Sequence, residues 1–384
     1  MTYLFFLGRQ QDLAQVELQA VLARFLQPTE ILEIIPGIFS AELDSSELPE
    51  RMMKVLGGTV KIAEQIDVIP TANTPEVEER AIQYLSSDAF TKRRVFSFAE
   101  QNRNHLDAVS QQNVKKALVK RGLSVRYVET PREGAEAGLL LEGDVTELQF
   151  IHTGAATVFA RTVAVQYVHD WSARDMEKPY RDKKKGMIPP KLGRTLLNLA
   201  FGAENPEGKT VLDPFCGTGT ILMEARVLGA HVVGSDQDKE AVHGAGKNLQ
   251  WLTERFSLPE DSIRLSVQDA TQITDKETGG KVDCIVTEPF LGKPNPTLAT
   301  VDNMLKGLER LYLGSCKQWL KLLKPNGRVV IVFPYVQFGK RVKSMEPLID
   351  RLESLGYTRE KGPYIYTKPY AIVQRAVYVF RLKE

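Results

Sequence analysis

At 384 residues the chain is longer than one hydrophobic core usually serves, so two or three domains are expected. It is 43% hydrophobic and 26% charged, an ordinary composition for a globular protein, and its formal net charge is +2. That near-neutral balance excludes binding of nucleic acid through bulk charge and leaves only a local basic patch.

Tyr3–Leu7 has the short apolar character of a strand, and Ala14–Phe25 places Val16, Leu18, Val21, Leu22 and Phe25 on one helical face. Start signals for export are missing: MTYLFFLGRQ lacks a basic beginning and a long apolar run, and no stretch approaches the roughly 20 apolar residues of a membrane span. Ile31–Ile38 and Val60–Ile69 read as further strands, which makes residues 1–69 a small α+β, ferredoxin-like region. Pro70–Glu79 is polar and proline-containing, as a loop or linker is.

Residues 70–168 then follow the order strand, helix, strand, strand. Arg94–Phe98 and Ser124–Val128 are strands around a basic amphipathic helix at Asn113–Gly122. Leu139–Leu141 and Glu147–Thr153 are expected as strands, with a turn at Glu142–Asp144. Lys115, Lys116 and Arg121 on the helix are either a solvated face or a set of phosphate contacts acting through charge alone. Residues 169–191 form a basic linker that includes Lys183, Lys184 and Lys185, and Pro189-Pro190 introduces a helix at Leu192–Phe201.

From residue 192 to 384 strands and helices alternate, which implies a parallel sheet. Val211–Asp213 is a buried strand running into the turn Pro-Phe-Cys-Gly-Thr-Gly, and Ile221–Gly229 is the helix after it. Gly217 and Gly219 let backbone approach a ligand closely. The dinucleotide fingerprint requires glycine at the sixth position, where this chain has Leu222, and no Lys–Ser/Thr pair follows as a phosphate-gripping loop needs. Ala230–Ser235 is the second strand. Asp236 follows Asp213 by 23 residues, the spacing of a ribose-binding acid in doubly wound folds; a helix cap is the alternative. Ile263–Val267 leads to Asp269, and Val282–Val286 delivers Thr287-Glu288-Pro289-Phe290-Leu291-Gly292 to the same edge. Arg328–Phe333 is the fifth strand, and Tyr364–Tyr366 with Ala371–Arg381 close the chain as an antiparallel pair.

The turn DPFCGTGT resembles the first motif of class I S-adenosylmethionine (SAM) methyltransferases acting on nucleic acids. SVRYV after a basic helix resembles a THUMP domain, an RNA-binding module of tRNA-modifying enzymes. YLFFLGRQQDLAQVELQAVL, GGTVKIAEQI and the run RD…RD…GMIPPKL before DPFCGTGT are similar to the THUMP-bearing tRNA (guanine(10)-N2)-methyltransferases. The resemblance covers most of the chain and is strongest from Ser172 to Gly292. It implies an α/β protein with a C-terminal Rossmann-like methyltransferase sheet behind a THUMP-like region, with SAM as cofactor and tRNA as partner. By the same resemblance Pro190, Asp213, Phe215, Gly217, Gly219, Asp236 and Asp269 hold SAM, with Asp269 on the adenine amine.

Amino-methyltransferases usually carry Asp/Asn-Pro-Pro-Tyr/Phe where this chain has Glu288-Pro289-Phe290-Leu291. An exocyclic amine is a weak nucleophile, so the site must align it and accept an N–H bond as the nitrogen pyramidalises. Glu288 and the Pro289 carbonyl suit that task, and Phe290 suits stacking on the base. Three readings stay open: a tRNA guanine-N2 methyltransferase, a DNA or ribosomal RNA amino-methyltransferase, and a SAM-binding RNA adaptor with an altered motif. A nicotinamide oxidoreductase is disfavoured by Leu222. Cys216, Cys284 and Cys316 are isolated in sequence and the five histidines form no HxxxH pair, so a cytoplasmic protein without a bound metal is expected.

Overall fold

A computed structural model describes residues 1–26, 30–70, 73–87, 94–102, 108–182, 187–260 and 263–383. They form two compact units. The first comprises Met1–Arg9, Phe25–Val55 and Thr59–Asp170; the second comprises Gln10–Arg24, Leu56–Gly58 and Trp171–Glu384.

The first unit is built on one eight-stranded sheet. Its strands are β1 (Thr2–Leu7), β2 (Leu32–Ile35), β3 (Ile38–Glu42), β4 (Thr59–Ile69), β5 (Arg94–Gln101), β6 (Val125–Tyr127), β7 (Val145–His152) and β8 (Thr157–Val165), in the spatial order β2-β3-β1-β4-β8-β7-β5-β6. The boundary expected after residue 69 therefore falls inside a continuous sheet, because β4 pairs with β1 on one side and β8 on the other. Helices Thr74–Ser86 and Gln111–Lys120 bury Val77, Ala81, Leu85, Val114 and Leu118 against Phe96, Phe98, Phe150 and Phe159. Both start on side-chain caps, Asn73 accepting from the Glu76 amide and Ser110 from the Asn113 amide.

Three expectations need correction here. Pro70–Glu79 is not a loop throughout: residues 74–79 open the helix Thr74–Ser86, whose first turn accommodates Pro75 because the amide that proline lacks has no helical partner there. Ile31–Ile38 is two strands, β2 and β3, because Pro36-Gly37 makes a hairpin turn in which Gly37 takes φ 82°. Leu139–Leu141 is the centre of a helix, Ala137–Glu142. A three-residue apolar run does not distinguish helix from strand, and leucine favours the helix.

The second unit holds β9 (Thr210–Asp213), β10 (His231–Asp236), β11 (Ile263–Val267), β12 (Val282–Thr287), β13 (Leu323–Phe338), β14 (Arg341–Lys343), β15 (Tyr357–Tyr366) and β16 (Val373–Leu382). The order is β11-β10-β9-β12-β13-β16-β15; the first five are parallel, and β16 and β15 are antiparallel. Alternate residues face opposite cores. Val211, Val232, Val286 and Val330 join one apolar cluster, while Leu212, Val233, Ile285 and Ile331 join the other. Both faces are thus covered by helices, the condition for a parallel sheet. Helices Pro190–Phe201 and Thr220–Val227 cover the first face, and Val301–Trp319 and Glu346–Ser354 the second.

Helix Gln11–Phe25 also serves the second unit over residues 11–24. Its Leu13 enters the first cluster. The fully buried Glu17 carboxylate accepts from the Gly57 and Gly58 amides (2.8 and 2.7 Å) and from Asn198 Nδ2 (2.7 Å). Burial pushes this carboxyl up, and the donors pull in the opposite direction.

Candidate active site

The chain leaves β9 for β10 and β11 on one side, then returns to place β12 on the other. In open α/β sheets ligands bind beyond the carboxyl ends of the strands at such a reversal. Asp213 ends β9, Asp236 ends β10, Asp269 follows β11 and Glu288 follows β12. Topology therefore brings these four acids to one edge.

Asp213 is buried, and its Oδ1 accepts from the Thr287 hydroxyl (2.7 Å) and the Phe215 amide (3.2 Å), which ties the ends of β9 and β12 together. Its carboxyl is pushed up to about 7, first by burial and also by the Asp236 and Glu288 charges, against the opposing pull of the two donors. The Asp236 and Glu288 charges both raise the proton affinity of Asp213, and an edge where three carboxylates meet is suited to a cation. Phe215 is half-buried, its ring edge-on to Trp319 at 6.4 Å.

The glycine turn is shaped by Asp236. Its Oδ2 accepts from the Gly217 amide and its Oδ1 from the Asp238 amide, each at 3.0 Å. Gly217 takes φ 51° with open space where a Cβ would stand, whereas Gly219 takes φ 82° with Ala245 Cβ 3.1 Å from that position. One glycine keeps a ligand approach open; the other permits close helix packing. A carboxylate has about four lone-pair sites, so Asp236 retains acceptor capacity. Asp269 uses Oδ1 for the Thr271 amide (2.8 Å) and hydroxyl (2.7 Å), which leaves Oδ2 for a ligand.

Glu288 is mostly buried and its Oε1 accepts from Arg375 Nε at 2.6 Å. Burial pushes the Glu288 carboxyl up, and the Arg375 guanidinium opposes that without cancelling it. Phe290 stands 63% exposed beside the buried Pro289, the exposure an aromatic platform requires. The Phe290 carbonyl is taken by the Tyr312 hydroxyl at 2.6 Å, while the Pro289 carbonyl accepts no hydrogen bond among the described residues.

The segment leading to the site is latched by residues that sequence reasoning missed. Asn248, fully buried, accepts from the Tyr180 amide (2.8 Å) and donates to the carbonyls of Tyr180 (2.9 Å) and Thr218 (2.8 Å), joining this segment to the glycine turn. Lys178 Nζ donates to the Thr220 hydroxyl at 3.1 Å. Glu224 binds Arg174 (2.6 Å) and Arg194 (2.7 Å), both stacked over Trp171. A polar residue on the otherwise apolar face of helix Lys239–Phe256 was a readable sign of Asn248; nothing local announces Arg375. Pro190 is buried at the first position of its helix.

Three of the basic residues nominated for RNA belong to the first unit. Lys115 sits over the Tyr127 ring (5.5 Å), Lys116 is exposed, and Arg121 is paired with Glu79 (3.1 Å), all in the first unit. Lys183, Lys184 and Lys185 lie outside the described residues. Among the described residues no helix is long and apolar enough to cross a membrane, and no group of His, Cys, Asp and Glu is arranged to hold a metal.

Residues 178–346 match the family model described as the RMKL-like methyltransferase domain, and residues 99–247 match one described as a DNA methylase. The tRNA (guanine(10)-N2)-dimethyltransferase of Methanocaldococcus jannaschii is 33% identical over 152 residues, 39% of this chain. The chain spans only 38% of that relative's length. The "Probable tRNA (guanine(10)-N2)-dimethyltransferase" of Methanothermococcus thermolithotrophicus is 33% identical over 121 residues, 31% of this chain and 70% of that protein. In fold, the chain resembles the crystal structure of TrmN from Thermus thermophilus, with a TM-score of 0.60 at 17% identity over 100% of both chains. The sheet order, the acids at its reversal and these relatives agree: the chain belongs to the tRNA (guanine(10)-N2)-methyltransferase family and has the class I methyltransferase fold.

Proposed function

We propose that this protein transfers the methyl group of SAM to the exocyclic N2 amine of a guanine in tRNA, in the cytoplasm, and that residues 70–168 act as a THUMP-like RNA-binding element. The observation that carries the reading is the meeting of Asp213, Asp236 and Glu288 at the sheet reversal beside an open glycine turn. Asp213 and Asp236 fit SAM, which is cationic at its sulfonium and amino groups and carries two ribose hydroxyls, while Glu288 faces the base. Asp236 would hold the hydroxyls, Asp269 the adenine amine, and Gly217 would lie against the methionine part. When bound, SAM supplies an activated methyl group, so the protein needs no covalent nucleophile of its own.

Glu288 accepts the N–H of the target amine through the oxygen that Arg375 leaves open. Arg375 sets the carboxylate's direction and favours its charged form. Phe290 stacks on the guanine, and Tyr312 holds the backbone of the loop that carries both groups. The guanine leaves its helix to reach Phe290. A catalytically silent RNA adaptor is favoured by one observation, that Glu288 already has a partner. Transfer of label from methyl-labelled SAM to total tRNA, followed by mapping of the modified base, tests the proposal. Label on guanine N2 is expected; no transfer to any tRNA removes the activity.

A further inference from the structure

Strand β13 continues five residues past Phe333 and folds back as β14. Val336 pairs with Val373 of β16 on one side and with Lys343 of β14 on the other. The β13–β14 hairpin therefore lies on the β12 side, beyond the strand end that carries Glu288 and Phe290. Lys343 is tied to Asp302 at the start of helix Val301–Trp319 (2.9 Å), whereas Lys340 and Arg341 at the hairpin tip are exposed and have no ion-pair partner among the described residues.

On the other side of the hairpin base the Gln337 amide donates to the Ile372 carbonyl (2.9 Å), so the loop joining β15 to β16 projects from the same edge. The buried Gln374 side chain holds this loop, accepting from the Lys368 amide (2.6 Å) and donating to the carbonyls of Lys368 (3.1 Å) and Ala371 (2.6 Å). At its tip Tyr370 takes φ 63° and is 104% exposed. A bulky aromatic in the left-handed region is strained. Its ring buries nothing among the described residues to offset that strain. A hydrogen-bonded loop presenting an aromatic ring to solvent, on the same sheet edge as the cations Lys340, Arg341 and Lys368, none of which has an ion-pair partner among the described residues, combines the two parts of a single-stranded nucleic-acid platform: a stacking surface and phosphate contacts.

We propose that this edge binds the unpaired RNA beside the target guanine, with Tyr370 stacked on a neighbouring base and Lys340, Arg341 and Lys368 on its phosphates. The inference rests on the methyltransferase reading for the identity of its ligand. The charge of the patch commits it to a polyanion, and the exposed ring to one with accessible bases.

Fluorescence anisotropy of the full chain with tRNA, over a series of salt concentrations, tests it. Tyr370→Ala should weaken tRNA binding roughly tenfold, in line with the loss of one base–aromatic stack, and Tyr370→Phe should not. Tyr370→Gly should lose the same affinity with an unchanged or raised melting temperature, since glycine relieves the strained φ; a merely structural tyrosine would show the reverse. Replacing Lys340 and Arg341 together by alanine should flatten the slope of log affinity against log salt by about 1.4. SAM affinity should be unchanged throughout. Wild-type affinity in Tyr370→Ala and Tyr370→Gly, or an unmoved slope in the double variant, overturns the surface. If wild type binds tRNA without methylating it, the activity falls and the same affinities still judge the surface. If it does not bind tRNA at all, both fall.

Discussion

Each unit buries carboxylates, and they are treated in opposite ways. In the first unit Glu147 is fully buried and saturated: Lys61 Nζ bridges both oxygens (2.8 and 2.9 Å), and the Ala135 amide, Gln149 amide and Thr162 hydroxyl complete its shell. At the reversal of the second sheet Asp213 takes both its donors on one oxygen, and Glu288 has a single cation. A saturated buried charge costs little to keep and has nothing left to offer a ligand. An unsaturated one is costly in the free protein and gains when a cation or donor arrives. The two regions differ in that spare capacity far more than in residue type. The buried Glu17 and Glu224 fall with Glu147, which separates supports from reactive groups inside the second unit too.

The largest expected effect comes from breaking the saturated case. Lys61→Met leaves Glu147 without its cation and should cost about 3–5 kcal/mol of unfolding free energy. Calorimetric melting checks this, and SAM affinity should be untouched. A smaller loss than that from Arg375→Met would mean that Glu147 depends on its cation less than Glu288 does.

Asp213 sharpens it through pH. The folded chain keeps on Asp213, up to about pH 7, a proton that the unfolded chain loses near 3.8. On this group's account stability is greatest below the lower value and falls as pH rises to the upper one, by a few kcal/mol at most. Asp213→Asn keeps an acceptor for Thr287 and Phe215, so it should flatten that fall and raise the melting temperature at pH 8. It should also weaken SAM binding, which calorimetric titration reads.

Glu288→Gln should lower single-turnover methyl transfer to tRNA on the order of a hundredfold, with SAM affinity hardly changed. Because burial holds the Glu288 carboxyl above its ordinary range, the wild-type rate should rise with pH through that raised value, and the glutamine variant should lack the rise. Equal rates would exclude the carboxylate from the transfer. Asp236→Ala removes hydrogen bonds to a charged group, worth roughly 1.5–3 kcal/mol, and should weaken SAM binding by about one to two orders of magnitude. The smallest effect is expected from replacing Lys183, Lys184 and Lys185 by alanine, which should reduce the salt dependence of tRNA binding by up to about 2.7 in slope. An unmoved slope would show that these lysines do not touch phosphates.

What the sequence by itself determined is local in character. DPFCGTGT encodes a strand end and a turn whose glycines take positive φ, and both the turn and its reading survive in the structure because φ preferences belong to the residues themselves. Alternating strands and helices implied the parallel sheet, and once that sheet is assumed Asp236, Asp269 and Glu288 fall at strand ends by counting. Partnership was not legible. Arg375 reaches Glu288 across 87 positions, Asn248 ties Tyr180 to Thr218, and Glu17 fastens residues 10–24 to the methyltransferase unit rather than to their sequence neighbours. Short stretches without a periodic signal, such as Leu139–Leu141, were decided by tertiary context as well. A motif specifies backbone geometry over a few residues, whereas the charge state of a buried carboxylate depends on which groups the fold brings within about 3 Å of it. Only the tertiary structure decides that, and here it divides carboxylates that hold the fold from those left open to a ligand.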